Sequence, residues 1–140
     1  MRISARNVLA GEIKEVTRGP VNAEIILTLQ GGELITAVIT NASANSLELA
    51  KGKKAFAIVK ASEVMIGKGL EKAKLSARNI LAGDVAHVTA GAVNSEVVVR
   101  LPGGTEIVAS ITKASVEALD LKAGDPVSAV VKASNVLIGV

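Results

Sequence analysis

The sequence predicts an all-β protein made of two tandem five-stranded units, each a small barrel with one short helix. Three observations carry this. The chain repeats itself: Ser4-Ala5-Arg6-Asn7 returns as Ser76-Ala77-Arg78-Asn79, and Val59-Lys60-Ala61-Ser62 returns as Val131-Lys132-Ala133-Ser134, always 72 residues on. That one offset aligns the halves without a gap, and about half of the aligned positions are identical, which marks tandem copies of one unit. The apolar positions are dominated by β-branched residues in short runs, and glycine pairs punctuate them at hairpin spacing.

The elements follow in order. A first strand is predicted from Ile3 to about Val16 and again from Leu75 to about Val88, with a bend or bulge at Gly11 and Gly83. Val21 to Leu29 and Val93 to Leu101 alternate as strands; Val97, Val99 and Leu101 share one parity while Glu96 and Arg100 hold the other. Gly31-Gly32 and Gly103-Gly104 supply the tight turns. Strands resume at Leu34 to Thr40 and Glu106 to Thr112. Short helices are predicted at Ala42 to Leu47 and Ala114 to Leu119, capped by Thr40 or Asn41 and by Thr112. Lys54 to Lys60 and Val127 to Lys132 form fourth strands. Val64 to Ile66 and Val136 to Ile138 close each unit. Five strands with one helix before the fourth suggest a closed or nearly closed barrel of the OB type. The expected division is a first domain at 1–67, a polar Gly-containing linker at 68–74 and a second domain at 75–140.

Composition narrows the function. There is no Cys, so neither disulfides nor thiolate metal sites brace these small units. Packing the halves together and self-association remain as sources of stability. The core must be aliphatic, since the chain has one Phe, no Trp and no Tyr. The net charge of +3 is mild and its basic residues are scattered. No signal peptide and no apolar run of membrane-spanning length is seen, so a cytoplasmic protein without a membrane partner is expected.

Duplication is a filter for function: a functional residue at n should recur at n + 72. The single His, His87, aligns with Glu15 and fails it. The duplicated acids Glu12/Asp84, Glu24/Glu96 and Glu48/Asp120 are separated from one another and read as solvated surface. No nucleophile–base pair, phosphate loop or cation-ligating cluster is present, so no catalytic residues and no metal-cation ligands are assigned. What is duplicated is a set of donors. Ser4 and Arg6 project from one face of an extended segment, as do Lys60 and Ser62, with Ser62 opening the last strand. Thr40 and Ser43 sit where a strand enters a helix N-terminus with unpaired N–H groups. Ser76, Arg78, Thr112, Ser115, Lys132 and Ser134 repeat the set. Apart from Glu63 no acid lies among them, and such donors suit a small oxyanion. The same residues also have structural readings as solvated lysines, turn caps and helix caps. Gly19-Pro20-Val21-Asn22 and Gly91-Ala92-Val93-Asn94 are a second duplicated motif: a turn with its glycine at positive φ, or a nest of amides for an anion.

Ser-Ala-Arg-Asn, Gly-x-Val-Asn-x-Glu, Gly-Gly, Ile-Thr-x-x-Ser and Val-Lys-Ala-Ser, in this order and twice, resemble the molbindins, the small molybdate-binding Mop domains, in their tandem form. The resemblance covers nearly the whole chain outside the linker. It implies OB-like domains around a threefold axis, and a homotrimer for a tandem chain. It implies molybdate as the bound species, with tungstate as a close surrogate and no organic cofactor. One type of site would lie between domains of different chains: Ser4, Arg6, Lys60, Ala61 through its N–H, and Ser62 on one side, Thr40 and Ser43 on the other. Ser76, Arg78, Lys132, Ala133, Ser134, Thr112 and Ser115 form the equivalent set. A second type would sit at the threefold axis and use Gly19, Val21, Asn22, Gly91, Val93 and Asn94. Pro20 departs from Ala92 there, having no N–H to donate.

The expected function is storage and homeostasis of cytoplasmic molybdate. The alternatives are an OB-type nucleic-acid binder, which the near-absence of stacking aromatics opposes, and a ligand-free assembly module. An enzyme is the least expected.

Overall fold

The computed structural model describes all 140 residues. The first repeat supplies β1 (Asn7–Arg18), β2 (Asn22–Leu29), β3 (Leu34–Thr40), α1 (Asn41–Ser46), β4 (Lys54–Val59) and β5 (Met65–Gly67). The second supplies β6 (Asn79–Thr89), β7 (Asn94–Arg100), β8 (Glu106–Thr112), α2 (Lys113–Ala118), β9 (Pro126–Val131) and β10 (Leu137–Gly139). They form two five-stranded antiparallel sheets whose end strands come into contact, so each sheet curls toward closure. Alternation sets the inner face: Ala23, Ile25, Leu27 and Leu29 of β2 are all buried. Each fully buried Ile or Leu stabilises the fold by roughly 1.5–3 kcal/mol. The buried aliphatic side chains of both repeats make one continuous cluster of 24 residues.

The closing strands are exchanged. The sheet orders are β10-β4-β1-β2-β3 and β5-β9-β6-β7-β8. Leu137 pairs with Ile58, and Met65 pairs with Val130. Each repeat therefore contributes four strands to its own sheet and one to the other. The repeat boundaries in sequence and the sheet boundaries in space do not coincide.

Other expectations are shifted. β1 and β6 begin at Asn7 and Asn79 rather than Ile3 and Leu75, because β4 and β9 end opposite them at Val59 and Val131. The bulges fall at Ile13/Glu15 and Val85/His87, not at Gly11 and Gly83. Gly11 and Gly83 instead let β2 and β7 pass close by: a Cβ there would strike the carbonyl of Thr28 or Arg100. Thr40 and Thr112 are the helix caps, each accepting at 3.0 Å from the N–H of Ser43 or Ser115.

The repeats are joined by buried polar contacts as well as by strands. Asn7, 2% exposed, donates to the Val108 carbonyl at 2.8 Å and accepts from the Val108 N–H at 2.7 Å. Asn79 does the same with Thr36, at 2.8 and 2.7 Å. At the hairpin tips, Glu33 accepts from the Gly103 N–H at 3.1 Å and from the Thr105 hydroxyl at 3.0 Å. Positions 33 and 105 are equivalent under the repeat, so this contact breaks the symmetry of the two halves.

Candidate oxyanion site

The site residues lie at the ends of the sheets. Asn7 pairs with Val59, which puts Arg6 and Lys60 side by side where β1 and β4 finish. Arg78 and Lys132 are placed likewise beyond the Asn79–Val131 pair. Ser4 and Ser76 precede the strands in exposed coil. Ala61-Ser62 and Ala133-Ser134 form 3-10 turns, Ala61–Glu63 and Ala133–Asn135, so Ser62 does not open the last strand as expected. These turns pack across the seam, the first against β8 and the second against β3.

Thr40 and Ser43 form a second cluster, with their hydroxyls 2.9 Å apart; Thr112 and Ser115 repeat it at 2.8 Å. Thr40 pairs with Asn22, and Ala23 pairs with Arg18, so this cluster lies at the far end of β1 from Arg6. A strand of 12 residues separates the two, roughly 40 Å of extended chain before bending. No single repeat can bring its own hydroxyl pair to its own cations. Across the seam the register is closer: Arg78 meets Glu24, two residues from the Asn22–Thr40 pair.

Glu24 and Glu96 overturn one expectation. They are not isolated surface acids. Glu96 takes Arg6 in an end-on fork, Nη1 at 2.5 Å and Nη2 at 3.0 Å. Glu24 takes Arg78 at 2.7 and 3.2 Å. Each carboxylate holds its guanidinium's pKa above the ordinary arginine value, through the hydrogen bonds first and through charge second. An acid therefore does lie among the donors in both copies. Its presence was legible as a duplicated acid, the Glu of Gly-x-Val-Asn-x-Glu; nothing local showed that it reaches the other repeat.

Ser76 and Lys132 share a groove of about 360 Å³ with Met65, Leu70 and Leu75. A larger groove of about 760 Å³, lined by Lys14, Lys51, Lys54 and Phe56, contains none of the expected residues. It also fails the duplication criterion, since its counterparts are Ala86, Ala123, Pro126 and Ser128.

In the first repeat the axial motif forms a turn closed by a 2.8 Å bond from the Gly19 N–H to the Asn22 carbonyl. Neither Gly19 nor Gly91 has positive φ, contrary to expectation. A Cβ on Gly91 would instead clash with the Asn94 carbonyl. Asn22 and Asn94 are exposed beside the turns, and Val21 and Val93 stand at the tips, 70% and 75% exposed.

The profile of the TOBE domain matches residues 3–66 and again 75–138. The chain is 45% identical over 138 residues to the molybdenum-pterin-binding protein MopA of Rhodobacter capsulatus, covering 99% of this chain and 52% of that one. It is 41% identical over 140 residues to the molybdenum transport protein ModE of Herbaspirillum seropedicae, covering 100% of this chain and 52% of that one. The chain thus spans about half the length of these curated relatives. A structure of the cytoplasmic molybdate-binding protein ModG with molybdate bound matches at a TM-score of 0.96 and 50% identity, over 100% of this chain and 99% of that one. With two matched domains and an end-to-end structural match, the chain belongs to the TOBE-domain family, as a tandem molbindin.

Proposed function

We propose that the protein binds molybdate, and tungstate equally, as a cytoplasmic storage and homeostasis protein rather than an enzyme. One observation carries this: both repeats present the same guanidinium, ammonium and hydroxyl donors at exposed sheet ends, in a chain aligned end to end with a molybdate-binding protein. Molybdate is a tetrahedral dianion whose oxygens only accept hydrogen bonds. Arg6 and Lys60, or Arg78 and Lys132, supply charge-assisted bonds, and the hydroxyls and turn amides supply neutral ones. Sulfate has the same charge and shape but is smaller, so a fixed ring of donors discriminates by span.

The sites lie at seams between repeats, and the protein assembles as a homotrimer. Two features support this. The cation cluster and hydroxyl cluster of one repeat sit at opposite ends of β1. The apolar side chains Val21, Val93, Met65 and Leu137 are exposed in duplicate on the single chain, and self-association would bury them. The turns at Val21 and Val93 then meet near the threefold axis, where Pro20 weakens the first-repeat site.

Equilibrium dialysis against molybdate, with molybdenum counted per chain and the assembly sized in parallel, tests this. We expect tight binding, weak competition by sulfate, strong competition by tungstate and a trimeric mass. Lys60→Ala should remove about 2–4 kcal/mol from the first-repeat class of sites only, by the cost of deleting one partner of a charge pair. Sulfate binding as tightly as molybdate refutes the proposal.

A further inference from the structure

We propose that Glu24 and Glu96 are positioning residues of the oxyanion site, each fixing the arginine of the opposite repeat and setting the selectivity of the site it serves. The inference rests on the molybdate-binding reading above and deepens it.

The geometry is specific. Glu96 engages Nη1 and Nη2 of Arg6 together, and Glu24 engages the same two atoms of Arg78. A guanidinium has five N–H groups. An end-on fork uses two and leaves the Nε–H and one N–H on each Nη. The Nε edge thus remains available as a second, side-on fork for an oxyanion. The arginine side chains are about half exposed, 55% and 53%, while the glutamates are the more buried partners at 35% and 33%. The carboxylates stand on β7 and β2, within paired strands: Glu96 faces Ser110 and Glu24 faces Val38. A flexible side chain is in this way held by a rigid one before any ligand arrives, which reduces the ordering cost of binding.

Charge gives the second consequence. Arg6 and Lys60 alone would present two positive charges. Glu96 reduces the sum over these three side chains to one, and Glu63 of the adjoining turn adds a further negative charge in the first repeat only. A site with less excess charge attracts anions in general less strongly and depends more on how well its donors fit. Removing the carboxylate should strengthen indiscriminate attraction and release the guanidinium from its fixed orientation. Both changes act in the same direction on selectivity. The duplication criterion is met, since Glu24 and Glu96 are themselves 72 residues apart.

The test uses the full chain with Glu96→Gln, Glu24→Gln and both together. Gln is close in shape and keeps one acceptor, but it loses the fork and the charge. Molybdate and sulfate affinities are measured for each class of sites by dialysis and calorimetry, with thermal unfolding as a control. Each single variant should lower the molybdate-to-sulfate affinity ratio at least tenfold in one class, leave the other class unchanged and steepen the salt dependence. The double variant should lower both classes. Unchanged ratios at every site in folded variants overturn the inference, as does an equal change in both classes from one substitution. If one variant does not fold, the other tests the same claim at the site it serves, in the opposite repeat. Failure of the unmodified protein to bind molybdate is a different result: it removes the functional reading itself, whatever the variants do.

Discussion

At the scale of single residues, the most consequential side chains are those that the repeat pattern marked but did not explain. Asn7 and Asn79 were visible as the fourth letter of a duplicated motif, yet what they do is join the repeats. Each is buried and hydrogen-bonds both backbone groups of a residue in the other repeat, as a neighbouring strand would. Asn7→Ala would leave the Val108 N–H and C=O without these partners at a packed seam. We expect a loss of about 2–4 kcal/mol, from two groups at roughly 1–2 kcal/mol each. Denaturant unfolding checks it, and a loss below about 0.5 kcal/mol would contradict the assignment. The candidate site was legible as residue types and spacing, because donors suited to an oxyanion are chemically distinctive. The forks from Glu24 and Glu96 were not, because the two partners are 90 and 54 residues apart and no local pattern couples them.

At the scale of elements, strands and caps followed the sequence closely, since alternation and Thr caps are local physics. Their ends did not, because a strand stops where its neighbour stops. The 68–74 linker shows how a polar stretch acquires structure. Lys68 bonds the Asp120 carbonyl at 2.9 Å and the Asp125 carboxylate at 3.1 Å, tying the linker to the loop before β9. The Lys68 hydrogen bond, and next the Lys122 backbone N–H, lower the Asp125 pKa below its ordinary 3.8. A carboxylate depressed in the folded state contributes stability above its unfolded pKa and loses it as pH falls through the folded value. The stability gap between the unmodified chain and Asp125→Asn should therefore be present at neutral pH and shrink as the pH falls below the ordinary carboxylate range. Thermal unfolding across that range measures it. A gap that widens on acidification would reverse the sign and reject the assignment.

At the scale of the whole molecule, the duplication was legible and the strand exchange was not. The reason is physical: Val64-Met65-Ile66-Gly67 and Val136-Leu137-Ile138-Gly139 are nearly the same peptide, so either fits either sheet edge. Pattern alone cannot choose between them. The exchange makes a prediction that the sequence division would not. Deleting 137–140 should damage the first repeat, since β10 covers β4 there. Amides of Phe56 to Ile58 should exchange with solvent about tenfold faster or more, while those of β9 stay protected. Faster exchange confined to the second repeat would disprove the topology. The Glu33–Thr105 contact acts at the same scale. Two first repeats meeting at this point would oppose carboxylate to carboxylate, whereas a first and a second oppose carboxylate to hydroxyl.

The exchanged strands also govern how the protein can be made. β4 is complete at Val59, but the segment that finally shields its outer edge, 137–139, is translated roughly eighty residues later. At about 5–20 residues per second, that edge stays unshielded by its final partner for some ~4–16 s on the ribosome. Throughout that interval the nascent chain offers a bare strand to sister chains on the same message. The near-identical 65–67 segment, already synthesised, is the matching cover this chain has at hand until 137–139 emerge.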